Sequence, residues 1–261
     1  MSIQLIVMNI VLVLGLMTAL WVYSVFKRDV SIVDPWWSMC FLLVTVHTAL
    51  RCGLTPANTL LLAMVSVWAV RLWLHLLLRA IGQPEDPRYQ AFRQRFGADR
   101  YWWFSYFQVF LLQGALALLI SAPLQLAASA PAPDALTGFD VAGALVFVFG
   151  FGFEVVADRQ LKAFRDDPKN RGQILDTGLW RWSRHPNYFG EAVLWWGFGL
   201  CALDQPLGWL TLLGPVLMTY LLVKVSGVSM LDAHMRASRP GYAAYMDRTS
   251  AFIPWMRRTS P

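Results

Sequence analysis

Seven stretches of this chain are too long and too apolar to lie on the surface of a water-soluble protein. A helix needs about 20 apolar residues to cross roughly 30 Å of hydrocarbon, and inside it every backbone N–H and C=O must pair within the segment. The stretches 3–26, 36–50, 57–81, 104–126, 139–163, 187–203 and 207–228 meet or approach that length. They predict an all-α, polytopic membrane protein with about seven transmembrane helices. Hydrophobic residues make up 57% of the chain and charged ones 15%, against about 45–50% and about 25% in soluble domains. The 13 Trp suit a chain with many membrane–water boundaries. No basic start and cleavage site precede the first stretch, so it reads as a retained span.

The cations order these spans. Arg and Lys collect at 27–28, at 88–100, at 165–184 and in the tail from Arg236 onward, while the intervening loops hold only Arg51 or none. Cytoplasmic loops are enriched in these residues, which predicts an N-terminus outside and a C-terminus inside. Thr55-Pro56, the Ala-Pro-Ala-Pro run at 130–133 and Asp204-Gln205-Pro206 read as outer turns. The net charge of +6 therefore sets orientation and leaves no basic patch for nucleic acid. Cys40, Cys52 and Cys201 are scattered without metal spacing, and read as packing residues. With no internal repeat, residues 1–261 form a single integral membrane domain.

Ionisable groups inside spans are costly and face a cavity or a partner. Glu154 and Asp158 share one helix face, which Arg165 extends. Asn187 and Glu191 share another, just after Arg184-His185-Pro186. An amide and a carboxylate together suit a nicotinamide carboxamide or an adenine edge, although plain capping by Asn187 accounts for the same pattern. Arg71, His75 and Arg79 make a cationic stripe, either for phosphates or a lipid carboxylate or for salt bridging to the carboxylates of span five. Asp34 is equally a helix cap and a catalytic acid. His47 reads as a satisfied core histidine, Gln108 and Gln113 as interhelical hydrogen bonders, and Lys224 as a snorkelling cation. No GxGxxG, P-loop, HExxH, CxxC or GxSxG motif is present, so no metal site is expected.

The run Gly178-Leu-Trp-Arg-Trp-Ser-Arg-His-Pro-Asn-Tyr-Phe-Gly-Glu191 and the ending Arg239-Pro-Gly-Tyr-Ala-Ala-Tyr-Met-Asp-Arg-Thr-Ser-Ala-Phe-Ile-Pro254 are specific. With Ser31-Ile-Val-Asp34, the 82–89 loop and the 154–164 helix, the chain resembles the steroid 5-alpha-reductase-like membrane proteins of bacteria. Their superfamily includes sterol C14-reductases and isoprenylcysteine carboxyl methyltransferases. The resemblance implies a multi-pass protein of the bacterial inner membrane, with a site facing the cytoplasm. It implies a substrate-binding half over 1–128 and an NADPH-binding half over 139–261. By it, Glu154, Asp158, Arg165, Asn187 and Glu191 line the cofactor, and His185 and Tyr188 belong to the same motif. Lys169, Arg181 and Arg184 are candidates for its phosphates, and His234 matches a tail position near it.

Two departures bear on the substrate. Eukaryotic steroid 5-alpha-reductases carry a Gln-Glu pair before span two and a Tyr in span three, where this chain has Val33-Asp34-Pro35 and Trp68 and keeps Arg71. That leans away from a 3-oxo-steroid. The methyltransferases place a Glu-Glu pair after the last span, where this chain has Met230-Leu231-Asp232-Ala233. That leans away from S-adenosylmethionine. The leading expectation is an NADPH-dependent reductase of a carbon–carbon double bond in a lipid, in a steroid or another unsaturated lipid. Arg71 or His75 would stabilise developing charge, and Asp34 or Tyr89 would supply a proton. An S-adenosylmethionine-dependent methyltransferase and a non-enzymatic lipid carrier are the alternatives.

Overall fold

The computed structural model describes residues 1–130, 135–225 and 227–257. It is helical, and no strand occurs among the described residues beyond an isolated bridge between Ser183 and Ser250. Six helices are long and apolar enough to cross a membrane: Ile3–Lys27, Val30–Cys52, Pro56–Ala80, Ala98–Ile120, Gly138–Asp166 and Gly208–Ser238. The seventh expected span, 187–203, is a 15-residue helix, Pro186–Leu200. At 1.5 Å per residue it covers about 22 Å, short of the roughly 30 Å of hydrocarbon. Residues 131–133 of the expected outer turn lie outside the described residues.

The chain divides into two compact units, 1–138 with 202–211, and 139–201 with 212–261. In the first, local signals set the helix ends. Helix α1 (Ile3–Lys27) begins where the Ser2 side chain accepts from the Leu5 N–H, and stops at Arg28 in a left-handed conformation. Helix α2 (Val33–Cys52) packs against α3 (Pro56–Ala80). The start of α3 is a reciprocal cap between Thr55 and Asn58 with Pro56 in the first turn. The stretch 82–100 reads as a polar loop but contains helix α4 (Pro87–Phe96), whose first turn Asp86 caps at the Arg88 N–H. Helix α5 (Ala98–Ser105), a π-helical segment Tyr106–Leu111 and α6 (Leu112–Ile120) follow, then α7 (Ala122–Ala128).

Aromatic rings fill the α2/α3 seam. Trp37 meets Phe41 at 5.0 Å and Phe41 meets Trp68 at 5.7 Å between centroids. Several polar side chains in the seams are paired. Asn9 donates to Thr48 Oγ1 at 3.1 Å and to Gln125 Oε1 at 2.9 Å. Both its N–H groups being used, its oxygen accepts from His47 Nδ1 at 2.6 Å. His47 is therefore the satisfied histidine expected. Gln113 donates to Tyr89 Oη at 3.3 Å. Gln108 differs from expectation: its buried Oε1 has no hydrogen-bond partner. Cys40 and Cys201 are buried, but Cys52 is exposed at the end of α2, so it does not pack.

The second unit contains α8 (Gly138–Asp166), α9 (Pro186–Leu200), α10 (Leu213–Tyr220), a π segment Leu221–Val225, α11 (Val228–Ser238) and α12 (Tyr242–Arg248). Helices α8 and α9 cross with their backbones almost touching. A Cβ added at Gly150 would lie 2.5 Å from the Leu194 nitrogen, and one at Gly190 would lie 2.5 Å from the Glu154 nitrogen. Two turns away, Gly143 and Gly197 repeat the arrangement. Small residues let helices approach closely where lipid provides no hydrophobic drive. Gly150→Ala and Gly190→Ala should each destabilise the protein by about 1–3 kcal/mol. Gly152→Ala, with no atom within 4 Å of its added Cβ, should be neutral or stabilise by up to about 1 kcal/mol. Unfolding midpoints of the detergent-solubilised variants distinguish the two classes, and equal midpoints would refute the tight crossing.

Candidate functional site

In the first unit, Asp34 lies inside α2, which starts at Val33 with Ile32 as its cap, so Asp34 is not the helix cap. Its carboxylate instead accepts from Tyr89 Oη at 2.6 Å and from Arg88 Nη2 at 2.8 Å. Arg88 also reaches back to Asp86 at 2.9 Å, and Tyr89 Oη accepts from Gln113. Burial, and then the Asp34 carboxylate beside it, push the Tyr89 phenol above its ordinary range. Burial would raise Asp86 too, but the bonds from Arg88 outweigh it and leave that carboxyl below its usual value. The structure thus joins Asp34 and Tyr89, and adds Arg88 and Gln113 to them. Arg71 and His75 lie half-buried one turn apart on α3, and Arg79 is exposed.

In the second unit the Arg184-His185 pair turns inward. Asp232 on α11 receives Arg184 through Nη2 at 2.6 Å and Nε at 3.3 Å, His185 Nε2 at 2.9 Å and Tyr242 Oη at 2.7 Å. Such a bidentate, charge-assisted set is among the strongest a carboxylate makes. Because Asp232 only accepts, His185 carries its proton on Nε2. Burial and then the bond to Asp232 push the Tyr242 phenol up, which keeps it a donor. Arg184 Nη1 donates to the carbonyls of Met246 and Thr249 at 2.9 and 2.8 Å, at the end of α12, where carbonyls lack helical partners. Four of the five N–H groups of Arg184 are therefore committed. This residue, expected at a phosphate, anchors the tail.

The tail is fastened at further points. Ser183 Oγ donates to the Phe252 carbonyl at 2.8 Å, and the Trp255 N–H donates to the Trp182 carbonyl at 3.0 Å. Asp176 pairs with Arg248 at 2.9 Å and Arg257 at 2.8 Å.

Two residues beyond His185, Asn187 Nδ2 donates to Asp158 Oδ1 at 3.1 Å. Asn187 follows Pro186 inside α9, so it joins two helices and does not cap one. Glu154, Asp158 and Glu191 are all buried, and Tyr188 stacks on the His185 ring at 5.7 Å with 4° between planes. Arg165, Lys169, Arg181 and His234 are exposed. Asp232 and Tyr242 are the members to which the sequence reading gives no place in the site, although both fall in stretches it quotes.

These features define a class: a multi-pass helical membrane protein with carboxylates and basic side chains sequestered among its helices. Residues 20–249 match the DUF1295 family, described as a protein of unknown function, and the chain belongs to that family. An uncharacterized protein of Schizosaccharomyces pombe (strain 972 / ATCC 24843) is 26% identical over 265 residues, covering 90% of this chain and 75% of that protein. No solved structure matches the chain.

Asp232→Asn should cost about 3–5 kcal/mol, because it leaves a buried guanidinium without its counter-charge. Tyr242→Phe removes one donor of several and should cost about 1 kcal/mol. Thermal unfolding in detergent checks the ordering, and an Asp232→Asn protein as stable as the parent would contradict the anchoring role.

Proposed function

We propose that this protein is an NADPH-dependent reductase of a carbon–carbon double bond in a membrane lipid. The observation that carries the reading is the Asn187–Asp158 bond beside the buried carboxylates of Glu154 and Glu191. This polar wall stands in an otherwise apolar helix crossing. The resemblance borne by 178–191 and by the tail supports the same reading.

The donor set fits the cofactor. An amide and carboxylates match a carboxamide and ribose hydroxyls, and no cation in that set would oppose a nicotinamide ring that gains positive charge. Asn187, Asp158, Glu154 and Glu191 would hold those groups, with His185 and Tyr188 as the adjoining aromatic pair. With Arg184 committed to the tail, the exposed Lys169 and Arg181 are the candidates for phosphates, and Arg165 and His234 are more peripheral. NADPH supplies a hydride when bound; the protein's part is orientation and electrostatics.

In the first unit, Asp34 and Tyr89 are assigned the proton that must reach the reduced bond. Tyr89 holds its proton towards Asp34 Oδ1 and accepts from Gln113, and its raised pKa keeps the phenol neutral through physiological pH. Arg71 and His75 are assigned to developing negative charge, for which fixed donors are worth most where water is excluded.

NADPH should stabilise the detergent-purified protein against heat, by about 2.7 kcal/mol at a hundredfold excess over its dissociation constant. S-adenosylhomocysteine should not. Asn187→Ala and Glu191→Gln should each weaken NADPH about tenfold, and unchanged affinity in both would sink the cofactor assignment. Tyr89→Phe should bind NADPH normally and lower turnover about a hundredfold; full turnover would remove Tyr89 from the proton path.

A further inference from the structure

The tail carries apolar side chains that the described residues leave uncovered. Ile253, Trp255 and Met256 are 61, 71 and 74% exposed, and Trp182 is 41% exposed. Their backbone is nevertheless fastened. The Trp255 N–H donates to the Trp182 carbonyl at 3.0 Å, the Arg184 N–H to the Ser250 carbonyl at 2.9 Å, and Ser183 Oγ to the Phe252 carbonyl at 2.8 Å. Arg257 pairs with Asp176 at 2.8 Å. Residues 250–257 thus form a strap laid along 182–184. A strap held this way in water would forgo the gain from burying two indoles and two aliphatic side chains.

Helix α8 fixes the level of the strap relative to the bilayer. The exposed side chains of α8 are apolar as far as Val156, among them Leu145, Val148 and Phe149. The first exposed charge is Arg159, and Lys162 and Arg165 follow. Hydrocarbon accepts the former and rejects the latter, so its boundary falls between Val156 and Arg159. Trp180, two residues before Trp182, donates its Nε1–H to the Ala157 carbonyl at 3.1 Å, inside that interval. The Leu179 N–H donates to Gln160 Oε1 at 2.9 Å, one turn further on. Ring contacts give the same level. Phe252 of the strap meets Phe189 at 5.9 Å, Phe189 meets Phe153 at 5.3 Å, and Phe153 meets Phe149 at 5.9 Å. Phe149 is 58% exposed on the spanning part of α8. An aromatic row therefore runs from the lipid-facing surface of α8 to the strap.

We propose that the strap is an interfacial foot, and that the partner of its apolar surface is the bilayer itself. Trp182, Ile253, Trp255 and Met256 insert into the headgroup–acyl boundary of the leaflet at which α8 ends. Indoles favour that layer because one edge is apolar and the N–H is polar. Arg181, exposed next to Trp182, reaches the phosphates from the same level. At this depth lipid covers the surface without a second protein being recruited. The insertion seats the segment that leads into Arg184 and His185, so the anchor on Asp232 is held from the lipid side as well.

Depth-dependent quenching tests the assignment. Cys52 is exposed while Cys40 and Cys201 are buried, so Met256→Cys in a Cys52→Ser background directs an environment-sensitive fluorophore to the strap. Met256 is exposed, and the variant should melt as the parent does. Arg171→Cys in the same background, exposed beyond the end of α8, is the water-facing control. The full-length protein would be placed in nanodiscs holding one copy each, made with phosphatidylcholine brominated either near the headgroup or near the chain ends. The label at 256 should emit to the blue of the label at 171 and lose most of its emission to the bromine near the headgroup, and less to the bromine near the chain ends. Water-like, unquenched emission at 256 would overturn the proposal by leaving the strap in solvent. A blue-shifted label that neither lipid quenches would overturn it too, since protein would then cover the strap, as would a shift that requires two copies in a disc.

Discussion

Hydrocarbon offers no hydrogen bonds, so every polar group carried into the helix layer has to find its partner within the protein. The pairings of this chain follow from that constraint. Asn9 gathers Thr48, Gln125 and His47. Asp34 gathers Arg88 and Tyr89. Asp158 takes Asn187, and Asp232 takes Arg184, His185 and Tyr242. Apart from Tyr242 and Asp232, which are ten residues apart, each of these contacts joins segments far apart in sequence, so the cost of burying polarity becomes a means of fixing which helices are neighbours. The glycine-lined crossing of α8 and α9 serves the same end through van der Waals contact.

The 178–191 motif divides its labour. Its first part, through Arg184 and His185, binds Asp232 and the carbonyls at the end of α12 and so fixes the tail. Its second part, Asn187 and Glu191, lies along α9 towards the carboxylates of α8. In the proposed reading, the anchor beside the polar wall would hold the cofactor in place, since small displacements at a reacting centre are expensive in rate.

The helical class was legible because span length and apolarity are local properties of sequence. The limits of legibility have physical causes. Helix α4 hides in the polar stretch 82–100 because it has no apolar run, although Asp86-Pro87 is a ready start signal. Helix α9 was read as a full span because its apolar run continues to Leu203, whereas the helix ends at Leu200. The pairing of Asn187 with Asp158 joins two faces that periodicity had marked separately. Asp232 was out of reach as the partner of Arg184, since nothing local ties a position 48 residues further along the chain to it, and Tyr242 joins the site only through Asp232. Gln108, counted among the hydrogen bonders, sits in a π-helical segment that the 3.6-residue period does not anticipate.

Isotope transfer is the most direct measure of the reductase reading. The purified protein in proteoliposomes made from a total lipid extract would be given NADPH deuterated at both positions of nicotinamide C4, and the lipids analysed by mass spectrometry. The account predicts a lipid species that has lost one double bond and gained one deuterium on carbon, at a rate that falls about tenfold in Asn187→Ala when NADPH is far below saturation. Absence of deuterium from every lipid, together with transfer of a labelled methyl group from S-adenosylmethionine into a lipid, would contradict it.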